Sequence, residues 1–294
     1  MNSFDQIVII FNPNSTGDGP QLAKDLAAEL KIALGNTPLK LVETKHAGHA
    51  IELAREAASE GSPLVISVSG DGGYNEVVNG VMASGNDDAT AAVLPAGNAN
   101  DHARVMHDEP LVELILKGVT TNIDLLKMTV VDENNVHSSR YAHSYIGFGL
   151  TPTVALELEK GGKGSLTEIA TAIRSFAQFE PFEVEYSDGT RAELDSLIFA
   201  NINEMAKVAT LSQDGNPDDG VFEVISIPHV SKVKAAYYAT KAAVMGLGVQ
   251  PSVRSFDFKT LKSMPAQLDG ELWELNGVCR VVIRCQKQTF RTLV

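Results

Sequence analysis

The chain has only two cysteines in 294 residues, both in the stretch CRVVIRC at 279–285. Read as a strand, that stretch holds the two thiols on one face about 20 Å apart. A disulfide needs Cα atoms within about 7 Å, so on this reading Cys279 and Cys285 are free thiols of a reducing compartment. No apolar run approaches the roughly 20 residues of a membrane-spanning helix. Fixed-period repeats and low-complexity tracts are also missing, which excludes solenoids and disordered linkers. Positive charge is short: 24 Lys and Arg against 37 Asp and Glu leave a net charge of −13. That balance excludes broad nucleic-acid binding and general attachment to anionic membranes. Lys232, Lys234 and Lys241 form one local basic cluster, which a solvated helix face explains. The opening residues MNSFDQIVIIFNP carry neither a basic n-region nor a small-residue cleavage site. The expected location is cytoplasmic, with peripheral contact at the inner membrane surface allowed.

Apolar residues make up 44% and charged residues 21%, the balance of a globular protein, and the length favours two domains. Short apolar runs at 6–11, 39–44, 63–68 and 90–95 read as buried strands. Between them, 19–34, 49–60, 75–83 and 110–118 carry helical spacing, with Gly35 and Gly61 as stops. Alternating strands and helices predict a mostly parallel, doubly wound α/β domain. After about residue 122 the runs become short, alternating and separated by turn residues. They predict a β-rich, antiparallel, sandwich-like domain, interrupted by helices at 164–179 and 232–245. The expected division is 1–125 and 126–294.

Ligands of parallel α/β sheets sit beyond the carboxyl ends of the strands. Three stretches rich in glycine and asparagine lie there: NPNSTGDG after the first strand, SGDGGYN after the third, and PAGNAND after the fourth. In SGDGGYNEVVNG, Gly70, Gly72 and Gly73 allow a ligand to approach the main chain, and the helix that follows favours an anion. Asp71 would repel a phosphate there unless a divalent cation stood between. A tight turn with a helix cap reads the same residues without a ligand. In FNPNSTGDG, Asn12, Asn14, Ser15 and Thr16 are potential donors to phosphate oxygens, or simply a loop before a helix. In LPAGNANDHAR, Asn98, Asn100 and Asp101 suit a helix cap, and Arg104 suits a pair with Asp101 or a phosphate. Much later, AQLDGELWEL places Asp269 and Glu271 two apart. On a strand they share one face; alternatively, Asp-Gly is a hairpin turn. His46 and His49 are three apart, as metal ligands often are. No further ligand of matching spacing accompanies them, and a loop leading into a helix is the simpler reading. His102 and Trp273 read as packing residues.

Taken together, NPNSTGDG, SGDGGYNEVVNG, PAGNANDHAR and DGE resemble, in order and spacing, the motifs of the diacylglycerol kinase catalytic-domain family. That family is related to sphingosine kinases and more distantly to NAD kinases. YIGFG (145–149), the Gly-Ser-Leu of 164–166 and NPDDGVFEV (216–224) are also similar to family segments, so the resemblance spans nearly the whole chain. It implies an ATP-dependent lipid kinase using Mg²⁺, with diacylglycerol as the expected acceptor. By this resemblance Asn12, Pro13, Asn14, Ser15, Thr16, Thr44, Ser69, Gly70, Asp71, Gly72, Gly73, Tyr74, Asn75 and Asn98 take nucleotide-binding positions. Asp71 would also help place the catalytic metal, and Asp269, with Glu271 beside it, falls at the proton-acceptor motif. A structural Mg²⁺ site would use Asp219 and backbone oxygens near Asn216 and Val221. The lipid is expected between the domains, lined partly by residues 145–180. Expected partners are thus ATP and a lipid, with transient membrane contact and a homodimer allowed and no nucleic acid. Three positions differ from the family motifs. Ser69 stands for a glycine, Gly73 for a threonine, and Asn98 for a threonine or serine. The other readings are a kinase for a soluble acceptor such as NAD, and a non-catalytic nucleotide- or lipid-binding regulator.

Overall fold

The computed structural model describes residues 4–15, 17–150, 181–205, 209–213, 215–231, 234 and 245–294. They divide into two compact units, one of Met1–Asp124 with Gln288–Val294 and one of Leu125–Lys287. The sequence-based division put all of 126–294 in the second domain, but the last seven residues return to the first unit. A chain end carries no turn or composition signal of such a return. Its basis is tertiary: Thr292 pairs in parallel with Ala91 and its hydroxyl donates to Ala91 O at 2.9 Å.

In the first unit, β1 (Ile7–Phe11), β2 (Leu39–Glu43), β3 (Leu64–Ser69) and β4 (Thr90–Pro95) pair in parallel in the order β2-β1-β3-β4. Every residue of β1 is buried, the burial expected of a central strand covered on both faces. Between the strands run α1 (Gly19–Leu34), α2 (His49–Ala57), α3 (Asp71–Ser84), α4 (Asp101–Met106) and α5 (Leu111–Lys117). Helix α1 buries Ala23, Leu26, Ala27 and Leu30 at helical spacing and stops at Gly35, whose φ is +59°. Helix α2 is shorter than its sequence pattern, ending at Ala57 rather than 60. The chain runs outward from β1 to β2, then returns to the other side of β1 as β3. The carboxyl ends of β1 and β3 therefore flank the switch point where such sheets bind ligands.

The second unit is antiparallel. It contains β5 (Thr120–Val131), β6 (His137–Ala142), β7 (Tyr145–Gly149), β8 (Phe182–Tyr186) and β9 (Arg191–Ala200). The short β10 (Glu204–Met205) and β11 (Ala209–Thr210) follow, then β12 (Phe222–Pro228), β13 (Ser252–Val253) and β14 (Ser255–Thr260). The last strands are β15 (Met264–Leu268), β16 (Glu271–Leu275) and β17 (Arg280–Leu293). The division between the units falls within β5 and within β17.

Strand β9 organises this unit. One edge pairs with β12, and the other pairs with β7 through residues 196–200 and with β8 through 191–194. The sheet forks there: β7 continues to β15 and β16, and β8 continues to β14 and β17. One core fills the space between the branches, with Phe148 edge-on to Phe199 and Phe258. The expected helices at 164–179 and 232–245 fall on residues outside the described ones, apart from Lys234 and Met245, as does most of the basic cluster. Cys279, buried just before β17, and Cys285 within it are free thiols. Among the described residues no helix is long and apolar enough to cross a membrane.

Candidate active site

The first three motifs all emerge at the carboxyl ends of parallel strands in the first unit. After β1, Asn12 Oδ1 accepts from Asn14 N at 2.9 Å, folding the loop over Pro13, and Ser15 N donates to Asn12 O at 3.2 Å. Asn12, Asn14 and Ser15 are exposed. Thr16 lies outside the described residues. Thr44, just past β2, is tied to the end of β1 by its N–H to Phe11 O at 2.9 Å.

The central motif differs from its sequence reading. The predicted glycine loop 70–73 with a helix from 75 is instead a helix from Asp71 onward, with Gly70 as an extended N-cap. The first backbone N–H groups of a helix have no intrahelical partner, so glycines at 72 and 73 forfeit little there. Asp71 becomes the first residue of α3, 8% exposed, its Oδ1 accepting from His102 N at 3.2 Å. A carboxylate at a helix N-terminus meets the positive end of the dipole. Tyr74 and Asn75, assigned to the nucleotide by resemblance, point inward. Tyr74 is fully buried against His102 and Phe290, and Asn75 is buried with Oδ1 accepting from Asn79 at 3.0 Å. Placing these two residues in a helix turned them to its core face.

Two glycines have steric reasons unconnected with a ligand. A Cβ on Gly97 would lie 2.4 Å from Gly70 Cα, so the motifs after β3 and β4 touch backbone to backbone. A Cβ on Gly73 would lie 2.6 Å from Ser69 Cβ and 2.7 Å from its Oγ. Ser69 Oγ is held there by Ser67 Oγ at 2.7 Å and Gly70 O at 2.9 Å. Two of the three positions that differ from the resembled motifs are therefore in contact: the serine fills the space a side chain at 73 would need.

In the third motif Asn98 is exposed. Asn100, with φ +53°, precedes α4 without capping it; its side chain folds back to Gly97 N and O. Arg104 pairs with buried Asp101 at 2.8 Å, as its spacing suggested, and His102 is core.

Asp269 and Glu271 lie in the second unit. Asp269 (φ +49°) and Gly270 (φ +98°) form the two-residue turn joining β15 to β16, the hairpin that Asp-Gly favours. The alternative, two carboxylates sharing a strand face, is excluded. Asp269 is fully buried. Its Oδ1 accepts from Ser144 N and Tyr145 N, both at 2.9 Å, and its Oδ2 from His143 N at 2.7 Å. His143, also fully buried, brings Nε2 to 3.3 Å from Oδ2 and Nδ1 to 2.8 Å from Ser144 Oγ. Sequence reading missed His143: no spacing rule links a residue to a turn 126 positions away. By contrast, His229 is half-exposed; the hydrogen bond its Nδ1 donates to the Asp195 carboxylate raises its pKa above the ordinary histidine value. Glu271 opens β16 and is half-buried.

The turn expected to hold a structural metal is ordered by local contacts. Asp219 Oδ1 accepts from Val221 N at 3.0 Å, and Lys287 Nζ lies 3.4 Å from Asp219 O. Asn216 is exposed beside it.

Residues 6–128 match the family model described as the diacylglycerol kinase catalytic domain. A protein of Staphylococcus epidermidis named diacylglycerol kinase is 26% identical over 280 residues, covering 90% of this chain and 84% of that protein. One from Staphylococcus aureus with the same name is also 26% identical, with 90% and 85% covered. A solved structure of a diacylglycerol kinase from Bacillus anthracis superposes with a TM-score of 0.72 at 20% identity, over 99% of this chain and 97% of that one, which shows a shared fold.

Proposed function

We propose that the chain, whose residues 6–128 match the diacylglycerol kinase catalytic domain, is a lipid kinase of that family and transfers the γ-phosphoryl group of ATP to the hydroxyl of diacylglycerol. The observation that carries the reading is the placement of the Asn12–Ser15 and Ser69–Gly73 motifs at the switch point of the parallel sheet. There the start of α3 presents the positive end of the helix dipole, which suits phosphate oxygens. Asn98 and Thr44 are further candidates for the same nucleotide.

In the reaction the acceptor oxygen bonds to the γ-phosphorus, the bond from that phosphorus to the β–γ bridging oxygen breaks, and ADP leaves. The acceptor's proton passes to a carboxylate, for which we assign Asp269. Asp71 would hold the divalent ion: a hard oxygen donor beside phosphate oxygens fits Mg²⁺. When bound, that ion offsets the charge accumulating on the phosphates. Asp269 itself is fixed by three backbone donors, and the His143 contact is the loosest of its four.

Transfer of label from γ-labelled ATP to diacylglycerol, sphingosine, monoacylglycerol and NAD, with and without Mg²⁺, tests this reading. Labelling of diacylglycerol above the others, abolished by chelation, is expected. Labelling of NAD alone would move the protein to the soluble-acceptor class, and ATP binding without transfer to any acceptor would make it a regulator.

His143 is assigned as a positioning residue for Asp269. His143→Phe is expected to lower kcat roughly 10- to 100-fold with the KM for ATP unchanged, since small misplacements of a reacting group cost that much. His143→Gln, which keeps a donor toward Oδ2, should recover part of the loss. A fall in thermal stability with no recovery by glutamine would leave His143 a purely structural residue.

A further inference from the structure

We propose that His46, His49 and Glu52, around the start of α2, form a site for a zinc-class divalent cation, distinct from the ion assigned to Asp71. One ligand atom from each residue lies within 4.8 Å of the other two. The rings of His46 and His49 face each other at 4.7 Å between centroids. Glu52 is the ligand the sequence reading did not find. One helical turn beyond His49, it rises on the same face. In a tetrahedral zinc site with bonds near 2.0–2.1 Å, neighbouring ligand atoms stand about 3.3 Å apart. The side chains therefore need to close by about 1.5 Å at most. His46 and Glu52 are exposed and His49 half-exposed, so rotation disturbs no core.

The backbone beneath the site is fixed. Glu76 of α3 reaches across to α2, with Gly48 N donating to its Oε1 at 2.9 Å and Ala50 N to its Oε2 at 3.2 Å. His46 Nδ1 sits 3.0 Å from Ala47 O, a carbonyl, so Nδ1 carries the proton and Nε2 keeps a lone pair. That is the second contact metal-bound histidines use to fix their tautomer. His49 differs. Its Nδ1 accepts from Lys45 N at 3.1 Å, which places the proton of the neutral ring on Nε2. To ligate, His49 gives up this exposed bond, water takes its place at Lys45 N, and the ring reorients.

Two imidazoles and one carboxylate select a borderline ion of the zinc type over Mg²⁺, which takes oxygen ligands. Three protein ligands leave a fourth position for water.

Calorimetric titration of the full chain with Zn²⁺, in millimolar Mg²⁺ and a non-chelating buffer, should show one ion bound per chain. His46→Ala and His49→Ala should each weaken it by more than about tenfold, since even indirect partners of a metal cost 10- to 100-fold. Glu52→Gln should weaken it less, and His137→Ala, at an exposed histidine elsewhere, not at all. In nuclear magnetic resonance spectra the Lys45 amide should shift on zinc addition, reporting loss of its bond to His49. Cobalt(II) in place of zinc should give the strong visible absorption of a four-coordinate ion. Unchanged zinc binding by the His46→Ala/His49→Ala double variant, or no saturable single site in the wild-type chain, would overturn the proposal.

Discussion

Replacing Asp269 by asparagine is expected to reduce lipid phosphorylation by at least about 10³-fold, within the range that general base catalysis contributes. ATP binding, which we assign to the first unit, should persist. Asparagine tolerates the positive φ of this turn position as aspartate does, so the backbone of the hairpin stays. The side chain is another matter. An asparagine amide would turn a donor toward one of the three N–H groups that Asp269 accepts. An unmatched buried polar group of that kind costs about 1–3 kcal/mol, so the thermal midpoint should fall as well. The comparison that separates chemistry from stability is Glu271→Gln. Glu271 is half-buried at the start of β16 and is not the assigned acceptor, so its loss should cost no more than about tenfold in kcat. If Glu271→Gln abolishes turnover while Asp269→Asn retains it, the proton acceptor is Glu271. If both variants keep near-normal rates, the late Asp-Gly-Glu motif carries no base.

The second large effect concerns Ser69 and Gly73. Gly73→Thr restores the family residue, yet is expected to be the damaging change. Its Cβ would overlap Ser69 Cβ, an atom that cannot rotate away, and forced overpacking of this kind costs about 1–3 kcal/mol. Nucleotide binding should weaken with it, because the displaced residues lie at the end of β3 and in the first turn of α3. Ser69→Gly alone loses the bond to Ser67 and should be mildly destabilising. The double variant Ser69→Gly/Gly73→Thr should recover most of the loss. The two changes are then non-additive by about 1 kcal/mol or more, as contacting residues usually are. Urea unfolding and ATP titration of the four proteins close the cycle. Additive losses would sink the account of Ser69 and Gly73 as one compensated change.

Much of the fold was legible in order along the chain. The apolar runs at β1, β3 and β4 are short, β-branched and bounded by glycine or proline, and their burial on both faces leaves no alternation to confuse the reading. Helix α1 carries both its periodicity and its stop. The Asp-Gly hairpin was visible and slightly favoured locally over its rival reading, and the pairing of Leu268 with Glu271 decided between them. The start of α3 was misplaced by four residues because glycine and aspartate signal loops; a first helical turn tolerates both.

By itself the sequence determined the family resemblance, the parallel and antiparallel halves, and the positions of three motifs at strand ends. These are local properties, written in periodicity, turn chemistry and spacing. The tertiary structure alone decided which residues of those motifs face inward, as Tyr74 and Asn75 do, and why Gly73 must be a glycine. It also brought His143 to Asp269, returned Thr292 to Ala91, and set Glu52 beside His46 and His49. Each of these depends on where a side chain points once its element is packed, or on a partner far away in the chain. Neither is fixed until the backbone has closed on itself.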